Sequence, residues 1–450
     1  MLAGIVPLGY DLFAGVRNST LLIGLSFMDT NRFLIKGGTS LRGDVSVWGS
    51  KNSATKLIAA CLLTEKTCRI ENVPRIADVF TMLKIIEGMG ARVEWEGERT
   101  LLITAASIDP GRLDRDLVGH LRSSVVLLGP LFGRFHSVTS PYPGGDKIGA
   151  RPINTHLRAF RALGAEITEN PDSVTINTKK PIHGAKVVLS ELSVTATENI
   201  IMAASRIPAE TTIHIAAAEP SVQDLIAFLQ SMGVSVSGAG THTIVIRGNE
   251  QLGGGTLRVS PDYLDAGTLT IAAVATKGNI RIHGANPDHL LLVFEKLRAM
   301  GADIRVEGDV IEVVAVTGPL KSVSIQAMVY PGIPTDLQSI FGILATQNLG
   351  TTIIHDPLYD GRFRYIEELT RMGANAFVID PHRALINGPT ALTGVPISSL
   401  DIRSGAALVI AGLVANGETL INDIYQVERG YERFDERLRS LGADIQRVEA

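Results

Sequence analysis

The sequence predicts an α/β protein built as two similar domains of three repeated units each, and three features of its 450 residues carry that prediction. An amphipathic helix ending in Leu/Met-Gly-Ala/Val occurs six times. An Ala-rich helix, apolar nearly all round, precedes it in each unit. Alternating or Thr/Ile-rich runs with strand character follow.

Residues 1–30 stand outside the pattern. Leu21-Leu22-Ile23-Gly24-Leu25 is apolar, but Asp11 and Arg17 interrupt the segment and no basic stretch precedes it. No run reaches the roughly 20 apolar residues that a membrane helix needs. The segment is expected to be a poorly structured extension, with Met28 as an alternative start. An export signal is the competing reading.

The repeat glycines are Gly90, Gly164, Gly233, Gly301, Gly373 and Gly442, at intervals of roughly 70 residues, longer than solenoid periods. A helix over 365–372 buries one apolar stripe and stops at Gly373, which can take the left-handed C-cap conformation. Alternation then predicts strands, as over 302–306. The all-apolar helices are expected at 54–63, 125–131, 200–204, 269–275, 340–345 and 406–414. A helix with no polar face is a buried helix. Strands at 211–215 and 351–354 follow two of them. Each unit thus holds two helices and about four strands, and three units make roughly 210 residues, a common domain size. With a seam near Pro261-Asp262, the first domain is expected over 51–261. The second is expected over 262–450 together with 31–50, which lends it a strand.

Composition narrows the function classes. Apolar residues make up 45%, enough for large cores, and the net charge is only −4. No basic field favours nucleic acid or an anionic membrane surface, so an anionic substrate needs a local cluster of Lys and Arg. Cys61 and Cys68, the two cysteines, lie in apolar runs and suggest no disulfide framework; a reducing cytoplasm fits. The ten histidines are scattered and form no metal-ligand pattern.

Charged residues stand at the starts of the apolar helices: Lys51 and Asn52, Arg122, Asp336, and Asp401 with Arg403. Helix N-termini expose unpaired N–H groups and carry partial positive charge, so several aimed at one cleft attract phosphate or carboxylate. Any one of these residues could be an ordinary solvated cap; the repetition at equivalent positions favours function. The stretch Pro143-Gly144-Gly145-Asp146-Lys147-Ile148-Gly149-Ala150-Arg151-Pro152 is not a phosphate-binding P-loop, because no Gly-Lys-Ser/Thr ends it. Its composition suits a mobile lid, spanning about 139–152, with Asp146 at the tip as a candidate proton donor.

Lys51-Asn52-Ser53-Ala54 after Gly49, Leu121-Arg122-Ser123-Ser124 before Leu128-Gly129-Pro130, the Pro-Gly-Gly-Asp loop ending Gly149-Ala150-Arg151-Pro152, Ile333 to Gln338, Gly361-Arg362-Phe363, Asp401-Ile402-Arg403 and Glu428-Arg429-Gly430-Tyr431-Glu432 together resemble the UDP-N-acetylglucosamine 1-carboxyvinyltransferase family of enolpyruvyl transferases, from about Phe33 to the C-terminus. The resemblance implies two inside-out α/β barrel-like domains, each of three βαβαββ repeats, closing on substrate. It implies enolpyruvyl transfer from phosphoenolpyruvate to the 3-hydroxyl of UDP-N-acetylglucosamine through a tetrahedral ketal, without metal or organic cofactor. Lys51, Arg151 and Arg429 then hold phosphate, and Arg362 and Arg403 hold carboxylate, with Asn52 nearby. Asn52 and Asp336 contact the amino sugar. Arg122, Arg151, Pro152, Ile153, Asn154, Thr155, Ser193, Val194 and Leu358 line the UDP-N-acetylglucosamine side. Catalysis falls to Asp146, Asp336, Lys51 and Arg403.

Three departures qualify this. Asp146 stands where the common form has cysteine. An aspartate serves as general acid where burial or a nearby dianion raises its pKa, and loss of the thiolate implies insensitivity to fosfomycin. Asn154-Thr155 replaces Asp-Leu, and Glu191 stands where lysine is frequent. The alternatives are a transferase acting on another uridine nucleotide or on shikimate 3-phosphate, and a non-catalytic paralogue that binds a nucleotide sugar. A repeat protein of the RNA-cyclase type is disfavoured by the absence of aromatic-basic patches.

Overall fold

The computed structural model describes residues 31–146 and 148–449; the extension expected at 1–30 lies outside them. All six repeat glycines sit at positive φ, from +93° to +109°. Each ends one amphipathic helix: Ala77–Gly88, Asn154–Ala162, Pro220–Ser231, Leu291–Met300, Tyr365–Arg371 and Phe434–Ser440. The closure is the same each time. The N–H after the glycine reaches back over the helix end, as Ala91 to Ile86 O at 3.0 Å, Ala302 to Leu297 O at 3.0 Å and Ala443 to Leu438 O at 3.0 Å. This is the double-bonded left-handed cap, and it explains the small apolar residue that follows each glycine, since that residue folds back onto the helix.

The apolar helices are Lys51–Ala60 (continued by a 3-10 turn, Cys61–Leu63), Leu128–Phe135, Val194–Ala204, Tyr263–Ala275, Thr335–Ala345 and Ile402–Val414. We call them core helices one to six. Every residue of the fourth is buried. The second differs from expectation. Residues Arg122–Leu127 form a 3-10 stretch, and the α-helix starts only at Leu128. Pro130 lacks an N–H and is tolerated only in a first helical turn.

Five sheets share one strand plan. A strand entering from before the core helix pairs in parallel with the strand after it, as Lys186–Val188 with Glu210–His214, or Pro396–Ser398 with Glu418–Asn422. Two antiparallel strands complete the order, giving four strands per sheet. The sheet of Ser137–Pro141 has three. Three places break chain order. Thr256–Arg258, which follows rather than precedes the first core helix, pairs in parallel with Cys68–Glu71. Arg42–Ser46 pairs in parallel with Asn279–His283. Arg32–Lys36 lies antiparallel between Glu418–Asn422 and Asp444–Val448, in the sixth unit's sheet.

The apolar residues gather into two cores, one drawn from residues 54–259 and one from 33–47 with 263–445. The chain passes between them twice, side by side. Gly49 bridges to Pro261, Ser50 N–H bonds Ser260 O at 2.8 Å, and Asp262 N–H bonds Trp48 O at 2.8 Å. Gly49 has no room for a side chain: a Cβ there would lie 1.9 Å from Asn72 O. Gly49→Ala should therefore destabilise the protein by about 2 kcal/mol, as overpacking against rigid backbone does. Urea unfolding checks this, with a lowered midpoint expected.

Candidate active site

Between the two cores lies a chain of alternating charges, three of them, Lys51, Asp336 and Arg403, at core-helix starts. Asp336, in the first turn of the fifth core helix, accepts from Arg362 Nη2 at 2.7 Å and from Arg403 Nε at 3.1 Å. Arg403 opens the sixth core helix, whose N-cap Asp401 accepts the backbone N–H groups of Arg403 and Ser404 at 2.9 Å each. Burial works against ionisation of Asp336, but Arg362, Arg403 and Lys51 together hold its carboxyl well below the usual range. It is an anion at neutral pH.

Lys51 opens the first core helix. Its Nζ lies 3.1 Å from Asp78, in the first turn of Ala77–Gly88. The other Asp78 oxygen accepts from Arg429 Nε at 3.0 Å. Arg429 Nη1 reaches Gln426 Oε1 at 2.9 Å and also pairs with Asp146 at the tip of the glycine-rich loop. The loop thus lies across the cleft. Its far side rests on the 360–361 turn, where a Cβ on Gly149 would meet Asp360 Oδ1 at 1.8 Å. Arg122 holds both of its ends, donating to Pro143 O at 3.3 Å and Arg151 O at 2.5 Å. Burial, and then Arg151, lower the Arg122 pKa to about 10. Tyr359 lies under two guanidinium groups, those of Arg362 at 5.0 Å and Arg151 at 5.8 Å.

The donors are not all used. Arg403 Nη1 and Nη2 and Arg362 Nε are buried with no hydrogen-bond partner among the described residues. Leaving a buried polar donor unpaired costs about 1–3 kcal/mol, and a charged one more. Two free N–H-bearing nitrogens of one planar guanidinium form the fork that fits a carboxylate.

Lys51, Asp146, Asp336, Arg362, Arg403 and Arg429 thus meet in one network, and Arg122 and Arg151 adjoin it at the loop. Asn52 follows Lys51 and is half-buried. The residues expected on the nucleotide side form a second group. Thr155 Oγ1 bonds Glu191 Oε1 at 2.8 Å and Ser190 Oγ at 2.9 Å. The two departures at these positions therefore satisfy each other. Ser193 caps the third core helix, which begins at Val194, by accepting from Ala196 N–H at 3.4 Å. Pro152, Asn154 and Leu358 are exposed, whereas Ile153 packs into the first core. Sequence reasoning missed Asp78 and Tyr359. Asp78 carries no signal beyond an acid in a helix's first turn, where it suits the dipole in any protein. Tyr359 sits in the loop leading to Gly361-Arg362, beside the predicted Leu358, and that position was the available hint. Among the described residues no group of three or more His, Cys, Asp or Glu could hold a metal ion, and no helix is long and apolar enough to cross a membrane.

The fold of six such units is one that known proteins share. The family described as EPSP synthase (3-phosphoshikimate 1-carboxyvinyltransferase) matches residues 35–438. The chain belongs to this family of enolpyruvyl transferases. It is 40% identical over 417 residues to UDP-N-acetylglucosamine 1-carboxyvinyltransferase 3 of Caldanaerobacter subterraneus, covering 93% of this chain and 99% of that protein. It is 38% identical over 418 residues to UDP-N-acetylglucosamine 1-carboxyvinyltransferase of Coxiella burnetii, covering 93% and 96%. Among solved structures, the enolpyruvyl transferase NikO from Streptomyces tendae matches with a TM-score of 0.84 at 26% identity, over 93% of this chain and 99% of that one. EPSP synthase from Acinetobacter baumannii shares the fold, with a TM-score of 0.68 at 20% identity.

The group around Thr155 and Ser193 is tied to its neighbours by a buried histidine. His156 Nδ1 accepts from Asn199 Nδ2 at 2.9 Å, and Nε2 lies 3.2 Å from Thr195 Oγ1. Asn199 also accepts from Gly129 N–H at 2.6 Å. Burial, and then the Arg122 charge, lower the His156 pKa to about 3. The unfolded chain therefore binds a proton that the folded chain refuses between about pH 6.5 and 3. The stability contributed by neutral His156 is complete above pH 6.5 and falls as pH drops, by on the order of 1 kcal/mol per unit. Chemical denaturation from pH 7.5 to 4.5 should show this slope, and His156→Gln should flatten it.

Proposed function

We propose that the chain transfers the enolpyruvyl group of phosphoenolpyruvate to the 3-hydroxyl of UDP-N-acetylglucosamine and releases phosphate, as the committed step of peptidoglycan synthesis in the cytoplasm. The observation that carries the reading is the set of unpartnered buried donors on Arg403 and Arg362, in a chain whose relatives bear that activity as their name. The two cores act as two domains, 51–261 and 262–450 with 31–50, that close on the substrates.

Arg403 Nη1 and Nη2, with Arg362 Nε, take the carboxylate of phosphoenolpyruvate. Arg403 already gives its Nε to Asp336, so the incoming carboxylate need not displace that partner. Lys51, Arg151 and Arg429 take the phosphate, which competes with Asp146 for Arg429. Asp146, released beside a phosphate dianion, takes up a proton and becomes the acid. Asn52 and Asp336 hold the amino sugar. Arg122, Arg151 and Pro152 to Thr155 lie along the nucleotide, with Ser193, Val194 and Leu358. The 3-hydroxyl oxygen attacks C2, Asp336 accepts the hydroxyl proton, and C3 gains a proton from Asp146. Asp336 is a weak base while both arginines neutralise it; the substrate carboxylate shares that charge and strengthens it. Asp146, now a carboxylate, takes a proton back from C3, the C–H electrons form the C2=C3 bond, the C2–O bond to phosphate breaks, and phosphate departs with its electrons.

Incubation with both substrates should release phosphate and yield a nucleotide sugar heavier by one enolpyruvyl group. Phosphate release without that product, or release only with another acceptor, overturns the assignment. Arg403→Lys should lower kcat/KM for phosphoenolpyruvate by about 100-fold, since a lysine offers no planar fork. The native protein should resist fosfomycin, for want of a thiolate to open the epoxide. Asp146→Cys should retain activity and become alkylated by the drug, which mass spectrometry detects.

A further inference from the structure

Three residues beyond Arg429, and outside the charge network described above, Glu432 is buried at 7% exposure and holds a second bridge between the cores. Its carboxylate receives both arms of Arg99, at 2.8 and 2.7 Å, and the backbone N–H of Arg75 at 2.7 Å. Arg99 and Arg75 belong to the segment of the first core, Glu432 to that of the second. The Arg99 guanidinium lies 4.1 Å from the centre of the Trp48 ring, beside the first chain crossing. The Glu432 backbone is fixed as well: its carbonyl accepts from Arg437 Nε at 2.9 Å, and Arg437 is held by both oxygens of Asp265, at 2.6 and 2.9 Å.

The spacing gives this bridge its meaning. Arg75 precedes Asp78 by three residues, and Arg429 precedes Glu432 by three. The bond from Arg75 N–H to Glu432 therefore sets the entry of helix Ala77–Gly88 against the segment that carries Arg429. Asp78 and Arg429, the pair at 3.0 Å, are brought into register by it. When an anion enters the cleft, Arg429 must exchange carboxylate partners for phosphate. The Glu432–Arg99 bridge makes no contact with the exchanging groups and keeps the backbone of Arg429 in place while they change.

We propose that Glu432 and Arg99 are positioning residues for the phosphate pocket of phosphoenolpyruvate, acting through Arg429, Asp78 and Lys51. The proposal rests on the phosphoenolpyruvate reading of that pocket. Glu432→Gln and Arg99→Gln should each raise KM for phosphoenolpyruvate about tenfold, while KM for UDP-N-acetylglucosamine changes less than twofold. Arg99→Lys, which restores the charge, should recover part of the loss. Arg99→Gln leaves the buried Glu432 carboxylate without its charge partner and could unfold the chain, whereas in Glu432→Gln the Arg99 guanidinium keeps Glu98 at 3.5 Å. The double variant Arg99→Gln/Glu432→Gln leaves neither charge behind, and should show the same raised KM as the singles rather than the product of their effects. A double variant with unaltered KM for phosphoenolpyruvate, or variants in which both KM values rise alike, overturns the proposal. The unsubstituted protein is assayed alongside. If it makes no enolpyruvyl product, the functional reading fails; if it does and the variants match it, only the positioning role fails.

Discussion

Cations placed at the starts of buried helices are the constraint from which the rest follows. Lys51 and Arg403 stand where the helix dipole already presents positive charge, an arrangement that repels. Arg362 and Arg429 bring further positive charge close by. Such a cluster folds only if carboxylates lie within it. Asp336 serves Arg362 and Arg403, and Asp78 serves Lys51 and Arg429. These acids are the cluster's support. The acids offset only part of this charge, so the site stays net positive, and it retains unpaired donors on Arg403 and Arg362.

The scaffold holds this cluster by repetition. Each unit ends its amphipathic helix with the same left-handed cap and buries most of its core helix. Lys51, Asp336 and Arg403 consequently sit at equivalent positions of different units, on rigid backbone. Pre-organisation of that kind is what an electrostatically driven reaction requires, because dipoles already in place need no reorganisation as charge develops. The glycine-rich loop stands outside the repeat, and it carries Asp146, the residue proposed to deliver the proton.

Much of this was legible in the sequence, for local physical reasons. The six glycines announce themselves because only a left-handed cap followed by a small apolar residue uses Leu/Met-Gly-Ala/Val so regularly, and all six adopt positive φ. The core helices are readable because a helix without a polar face has one place to go. The start of the second was misplaced because Pro130 sets the α-helical turn later than the apolar run does. What sequence could not give is pairing across long separations. Asp78 meets Arg429 across 351 positions and Glu432 meets Arg99 across 333, and no periodicity encodes such partners. The same holds for Thr155 and Glu191, which looked like two unrelated departures and are one hydrogen bond.

The strand Arg32–Lys36 has a consequence for the order in which the molecule is made. It fills the centre of a sheet between Glu418–Asn422 and Asp444–Val448. On the ribosome it emerges early and waits for nearly the whole remaining chain before either neighbour exists. The core drawn from residues 54–259 needs no such partner and can be complete while synthesis continues. The enclosing core closes only with the last strand, so a nascent chain truncated before that point keeps a finished half and an open one, with the cluster of Lys51, Arg362, Arg403 and Arg429 still unassembled.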